Sequence, residues 1–317
     1  MSTPSDRPAA ASPALPDKPK KSRGVLIGIA AAVVVVLVAA VVLVINLTRT
    51  DETAGQVTVK IGTTEASADY WPVLTKLAAD QGIDIQTVNF GDYTQANPAL
   101  TQGQIDLNLF QHLLYLASYN VSTGDTLTPI GSTVVVPLGL YSEKHTAIAD
   151  IPQGGQVAIP NDPTNQARAL LVLQQAGLIT LKNGGTVLST PAEIDTAASK
   201  VTVTPVDAKQ TVTALQSVDA AVVNNNFALD AKLDPSKALY NDDPSKPAAQ
   251  PYINAFVARA ADKDNPTYLK IAALYQDPAV TKAVVDASKG TAVIVNRPAA
   301  ELQSVLTGLE DTVRAAK

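Results

Sequence analysis

Residues 156–177 read QVAIPNDPTNQARALLVLQQAG. Val157–Ile159 is a short apolar strand. A Pro/Asn/Asp turn follows it and leads into a helix whose first turns carry Asn165 and Arg168 and whose end is marked by Gly177. A strand that runs through a polar turn into a helix presents unpaired backbone N–H groups, and an arginine there adds a planar, permanently charged fork suited to a carboxylate. Arg168 is therefore a candidate anion ligand. The same fork serves equally well in a salt bridge to a neighbouring acid.

Outward from that unit the chain alternates strands and helices. Val57–Ile61 (VTVKI) reads as a strand, Trp71–Ala79 (WPVLTKLAA) as an amphipathic helix and Ile83–Val88 (IDIQTV) as a second strand. That spacing predicts a βαβ unit with a parallel sheet, hence an α/β fold. Asn97–Gly103 is expected to be helical, leading into Ile105–Phe110 and a helix over Gln111–Tyr119. Val134–Tyr141 reads as an apolar strand interrupted by Pro137. Further on, Glu193–Ala198 and Thr211–Ser217 read as short helices, and Val201–Val206, Asp219–Val223 and Tyr252–Ala258 as strands. From Pro266 onward the chain is mostly helical, with breaks at Gly290 and Pro298.

The 317 residues leave room for two ordinary domains and contain no cysteine, which excludes disulfides, thiolate metal sites and lipidation on cysteine. Charge is unevenly placed. Residues 1–50 carry six basic and two acidic side chains, and the remainder 18 basic against 27 acidic, so the larger part has a net charge of −9. An acidic body argues against nucleic acid as a partner.

Residues 1–23 are rich in Pro, Ala and Ser without apolar periodicity and read as a disordered tail. Gly24–Ile45 is an uncharged, almost wholly apolar run of 22 residues, long enough at about 1.5 Å per residue to cross a hydrocarbon core of about 30 Å. A single transmembrane helix is expected over residues 24–47, with a linker at 48–55. Lys18, Lys20, Lys21 and Arg23 precede the run, so the positive-inside rule places the N-terminus in the cytoplasm and the rest outside. A cleaved signal peptide is the competing reading; this apolar region is longer than signal peptides use.

Three further clusters could carry chemistry. Asn89–Tyr93 (NFGDY) with Phe110, Gln111, His112 and Tyr115 gathers aromatic rings just after strands, where core packing is the plain alternative. Asn224–Asn226 ends a buried strand, the place where open α/β sheets hold ligands; a turn is the other use of such a run. Asn254 is a polar residue in an apolar stretch and needs partners if buried. Asp242 and Asp243 read as solvated loop charges. No nucleophile elbow, phosphate-binding glycine loop or H-E-x-x-H motif occurs, and His112 and His145 are the only histidines, so binding is favoured over catalysis. A metal site built on those two histidines and carboxylates is a weaker alternative.

From Val57 to about Lys289 the chain resembles the methionine-binding proteins of methionine ABC importers, the MetQ/NlpA family. VKIGTT (59–64), NFGDY (89–93), NPAL (97–100), FQHLLYL (110–116), VAIPNDPTNQARALLVLQQAGLI (157–179), DAAVVNNNFA (219–228), PYIN (251–254) and DKDNP (262–266) carry the resemblance. It implies a two-lobed, periplasmic-binding-protein-like (type II) solute-binding fold after the membrane helix. Lobe one would be residues 56–139 with 255–317 and lobe two 140–250, with crossovers near 138–141 and 251–254. It also implies a site in which Arg168 clamps the ligand carboxylate, Asn224 and Asn254 hold its carboxylate and amino groups, and Tyr93, Phe110, His112 and Tyr115 line a thioether pocket.

The expected partners are methionine, L-methionine foremost, and the permease subunits of an ABC importer, with no catalysis, cofactor or metal. D-methionine, a methionine dipeptide or another apolar amino acid are alternative ligands. A sensor or interaction protein that kept the fold without transport is an alternative role. Three departures stand out: the missing lipidated cysteine, Leu114 where the family has proline, and QTVTAL (210–215) in place of the family's Gln-Leu-Pro-Arg run.

Overall fold

The computed structural model describes residues 56–316; the tail (1–23), the apolar span (24–47) and the linker (48–55) expected from the sequence lie outside them. Among the described residues no helix is long and apolar enough to cross a membrane.

The chain begins with β1 (Val57–Thr63), α1 (Tyr70–Ala79) and β2 (Ile83–Asn89), and β1 and β2 pair in parallel as the strand-helix-strand spacing predicts. Then come α2 (Ala96–Thr101), β3 (Leu107–Asn108), α3 (Leu113–Thr123), β4 (Thr128–Ser132), β5 (Val134–Val135) and β6 (Gly139–Tyr141). The unit first singled out is β7 (Gly155–Pro160) and α4 (Pro163–Gln175). β8 (Val201–Val206), α5 (Gln210–Ala214), β9 (Ala220–Val223), α6 (Asn225–Asp230) and β10 (Tyr240–Asn241) follow. β11 (Ala255–Ala258), α7 (Pro266–Leu274), α8 (Pro278–Ala287), β12 (Val293–Ile294) and α9 (Ala299–Ala315) complete the chain.

Two five-stranded sheets result, in the orders β2-β1-β3-β11-β4 and β10-β6-β9-β7-β8, with a two-stranded β12-β5 ribbon beside them. β11 runs antiparallel to β3 and β4 in the first sheet, and β6 antiparallel to β9 and β10 in the second. Each sheet has its own core. Val59, Ile61, Trp71, Leu74 and Phe256 pack with α7 and α8 in the first; Leu140, Val157, Ile159, Leu170, Leu173 and Val222 pack in the second. β9, sequence AAVV, is buried at every position, as a strand covered on both faces must be.

α4 shows how local chemistry sets an element. Asp162 caps its start and Pro163 takes the first turn, where a missing N–H costs nothing. Gly177, at φ +72, ends it in the left-handed conformation, with the Leu178 N–H donating to the Leu173 carbonyl at 2.9 Å.

Several expected elements differ. Val134–Tyr141 is not one strand: it divides into β5 and β6, which belong to different sheets, because Pro137 between them has no N–H for a ladder. Tyr252–Ala258 is a strand only from Ala255, since Pro247–Tyr252 forms a 3-10 turn. Ile105–Phe110 pairs only over Leu107–Asn108. Glu193–Ala198 is not a helix: Pro191–Glu193 makes one 3-10 turn, after which the Asp195 carboxylate takes the N–H groups of Ala197 and Ala198. Asn224–Asn226 is no isolated turn; Asn224 is the N-cap position of α6.

Leu170 on α4 is fully buried in the second core. Leu170→Ala is expected to cost about 2–5 kcal/mol of unfolding free energy in denaturant titration, and a loss under about 1 kcal/mol would show that this core is not packed as described.

Candidate functional site

The start of α4 organises one side of a cavity. Asp162 Oδ1 accepts from the Asn165 N–H at 2.9 Å and from the Thr164 hydroxyl at 3.0 Å, while Asn165 Nδ2 donates to both Asp162 oxygens at 3.1 Å. A carboxylate can only accept, so Asn165 must point its amide oxygen the other way. There it accepts from Asn224 Nδ2 at 2.9 Å and lies 3.3 Å from His112 Nε2. Burial raises the Asp162 carboxyl above its ordinary value, opposed by the hydrogen bonds from Asn165 and Thr164.

His112 sits at the N-cap of α3, where its Nδ1 accepts from the Tyr115 N–H at 3.1 Å. With Nδ1 accepting, the proton is on Nε2, directed at Asn165. Burial first, and the Arg168 charge second, push the imidazole down to about 3, so it is neutral at ordinary pH. Its two nitrogens are both engaged, so it lines the cavity as a fixed neutral ring. Asn224 shows the opposite state: its Oδ1 is buried and has no partner among the described residues. An orphan acceptor of that kind is costly unless a ligand donor meets it.

Arg168, one turn further along α4, is 4% exposed. Its Nε and Nη2 donate to Asp242 Oδ2 and Oδ1 at 2.7 and 3.1 Å, and Nη2 also donates to the Val136 carbonyl at 2.8 Å. Tyr252 lies across the guanidinium, 4.1 Å from ring centroid to Cζ. Nη1 makes no hydrogen bond to the described residues. Of this group Arg168 lines the cavity, while Asp242 and Tyr252 do not. Asp242 is thus not a solvated loop charge: its Oδ1 also accepts from the Leu138 N–H at 2.8 Å, and its neighbours bury it. Of the two uses of the Arg168 fork that the sequence left open, the salt bridge to an acid is the one present, and it occupies Nε and Nη2.

The cavity encloses about 740 Å³ of space between atoms, open solvent at its mouth included. All seven residues singled out from the sequence line it: Tyr93, Phe110, His112, Tyr115, Arg168, Asn224 and Asn254. Tyr93, Phe110 and Tyr115 pack against one another with centroids 5.8–6.0 Å apart. Asn254 is held by its backbone, which bonds Thr133 and Val134 at 2.9 Å, and its Nδ2 reaches the Tyr252 carbonyl at 3.3 Å. His145 lies elsewhere, bonded to Asp219 at 3.1 Å, and among the described residues no cluster of metal-ligating side chains occurs.

Further contacts join the two sheet units. The Tyr93 hydroxyl donates to Asn226 Oδ1 at 2.5 Å, Asn226 Nδ2 reaches Thr64 Oγ1 at 3.3 Å, the Ser67 hydroxyl donates to Asp230 at 3.1 Å, and Lys289 pairs with Asp234 at 2.7 Å.

Glu65, to which the sequence assigned no part, also lines the cavity. Its Oε1 accepts from the Tyr70 hydroxyl at 2.8 Å. Burial and the nearby Asp230 raise its carboxyl to about 7 against the bond from Tyr70. Neither Glu65 nor Asp242 had a local sequence signal: their importance comes from partners that fold against them, in the case of Asp242 one 74 positions away.

The sequence profile of the NlpA lipoprotein family matches residues 59–295. The D-methionine-binding lipoprotein MetQ of Yersinia pestis is 36% identical over 225 residues, covering 70% of this chain and 82% of that protein. The structure is similar to the substrate-binding protein of a methionine transporter from Streptococcus pneumoniae, with a TM-score of 0.70, 38% identity and coverage of 75% of this chain and 95% of the other. It is also similar to a nutrient-binding protein from Burkholderia cenocepacia bound to methionine, with a TM-score of 0.69, 37% identity and coverage of 74% and 99%.

Glu65 gives the fold a signed pH dependence. With a folded value near 7 against 4.5 ordinarily, the folded state holds a proton that the unfolded chain releases, so stability falls as pH rises from about 4.5 through 7. Glu65→Gln is expected to raise the melting temperature at pH 8 and leave it nearly unchanged at pH 4.5; an equal effect at both would contradict the assignment.

Proposed function

The chain belongs to the NlpA lipoprotein family, and from that premise we propose that it is a membrane-anchored extracytoplasmic solute-binding protein that captures methionine and delivers it to the permease of an ABC importer. Its task is binding, without catalysis. The observation that carries this reading is the pairing of two unmet needs in one cavity. Arg168 Nη1 is an unused charged donor, suited to an α-carboxylate; Asn224 Oδ1 is an orphan acceptor, suited to an α-ammonium. Together with Asn254 they describe the head group of an α-amino acid. The packed rings of Tyr93, Phe110 and Tyr115, with neutral His112 beside them, offer the soft surface on which a thioether packs well.

In this reading residues 56–139 with 255–317 and residues 140–250 are lobes that close on the ligand about 138–141 and 251–254. The contacts of Tyr93, Thr64, Ser67 and Lys289 with α6 and the loop after it are those a closing motion would make and break. L-methionine is the ligand to try first, with D-methionine, which names the Yersinia protein, as its comparison. The anchor we assign to residues 24–47 as an uncleaved helix with a cytoplasmic N-terminus, because a chain without cysteine has no thiol to lipidate.

A ligand that binds only the native state must stabilise it, so millimolar L-methionine is expected to raise the melting temperature of a refolded, ligand-free sample. No shift with either enantiomer would refute the reading. Arg168→Ala combined with Asp242→Asn, which leaves no carboxylate stranded, is expected to lose about 1.5–3 kcal/mol of binding, or about ten- to a hundredfold in Kd, relative to Asp242→Asn alone. Equal affinities in calorimetry would remove Arg168 from the site.

A further inference from the structure

Of the three asparagines 224–226, the first and the third face different partners. Asn224 Nδ2 donates to Asn165 within its own sheet unit, whereas Asn226 spends both ends of its amide on the other unit. Its Oδ1 accepts from the Tyr93 hydroxyl at 2.5 Å, and its Nδ2 donates to Thr64 Oγ1 at 3.3 Å. Asn226 lies in α6, after β9 of the second sheet; Thr64 follows β1 and Tyr93 follows β2 of the first. Phe227, the next residue, adds a second hold, its ring centroid 5.2 Å from that of Tyr93. Two adjacent residues of α6 thus grip one tyrosine, by hydroxyl and by ring.

Tyr93 stands in the loop between β2 and α2, so neither a strand ladder nor a helix fixes its backbone. Its ring neighbours are Phe110 and Tyr115, which line the cavity with it, and Phe227, which does not. Phe110 and Tyr115 belong to the segment that leads into and forms α3 of the first unit. Tyr93 is therefore the member of this aromatic group whose placement draws on the second unit. With its one proton given to Asn226, it offers a ligand its ring and no donor. Two further ties between the units, Ser67 to Asp230 and Lys289 to Asp234, fall on the same stretch, 226–234.

We propose that Asn226 is a positioning residue: from the second sheet unit it seats Tyr93 in the wall of the side-chain pocket, so that the ligand's side chain is enclosed only once the two units have come together. The proposal rests on the reading of the cavity as an amino-acid site between closing lobes. It assigns to Asn226 a role exerted through Tyr93, without contact to the ligand. A grip that forms after the ligand has entered slows its escape and leaves its entry unchanged.

The test is a double-mutant cycle on the full chain with L- and D-methionine, using Tyr93→Phe, which keeps the ring, Asn226→Ala, which suits a helix, and the two combined. Tyr93→Phe is expected to weaken binding about three- to tenfold in calorimetry. Asn226→Ala should weaken it at least as much, because the bond to Thr64 goes too, and the double variant should bind no more weakly than Asn226→Ala. The loss should lie in koff by stopped flow, with the melting temperature of the ligand-free variants unchanged. Unchanged affinity in Asn226→Ala, losses that multiply in the double variant, or a ligand-free melting temperature that falls as far as the loaded one overturns the proposal and leaves the amino-acid reading in place. Binding of neither enantiomer by the unmutated chain removes that reading and the proposal with it.

Discussion

The ion pair between Arg168 and Asp242 is the constraint on which the cavity depends. A buried guanidinium is costly unless it is paired and fully hydrogen-bonded, and here one edge is satisfied by a carboxylate, a main-chain carbonyl and a stacked ring. That carboxylate in turn takes the Leu138 N–H, and the carbonyl belongs to Val136, so the arginine is tied to the segment by which the chain passes from the β12-β5 ribbon into the second sheet. Site and crossover are thereby one hydrogen-bonded unit. Such pairs are weak evidence for stability, since apolar replacements often do as well. Their use here is orientation: one edge of the fork is pinned, which fixes where the other lies.

A second buried acid does similar work through amides. Asp162 caps α4, and by accepting from Asn165 it dictates which way that amide faces. Asn165 then accepts from Asn224 and His112, which come from the second and first sheet units. Each orientation follows from the one before, beginning with a group that can only accept. The chain of inference ends at Asn224 Oδ1, the acceptor left over. Groups held in this way lose little freedom when a ligand arrives, which is how preorganised sites gain affinity.

The cavity takes an ionisable side chain from each sheet unit, Arg168 and Glu65. Arg168 is set among acceptors, and Glu65 among tyrosines and an acid. The two sit on different sheet units, so the electrostatics of the site exist only when both units are together. The bonds from Tyr93 to Asn226, from Asn226 to Thr64 and from Ser67 to Asp230 join the same units.

Much of this was legible in the sequence. Apolar alternation and turn chemistry are local, so the βαβ unit, the start of α4 at Asp162–Pro163 and its end at Gly177 could be read from adjacent residues, and Arg168 stood out because a cation at the start of a helix is itself a local pattern. The aromatic and asparagine clusters were visible for the same reason, and family motifs gave them roles. Sheet membership was not: Val134–Tyr141 reads as one strand, and only the pairing partners divide it at Pro137 between two sheets. Nor was the state of any polar group. Whether Asp242 is solvated, whether His112 holds a proton and whether Glu65 is a strong acid depend on burial and on residues scores of positions away, and these are properties of the folded chain. The sequence alone determined which chemistries are present; the tertiary structure decided which donors and acceptors are already satisfied, and so which remain to recognise a ligand, because satisfaction is a matter of distance in space.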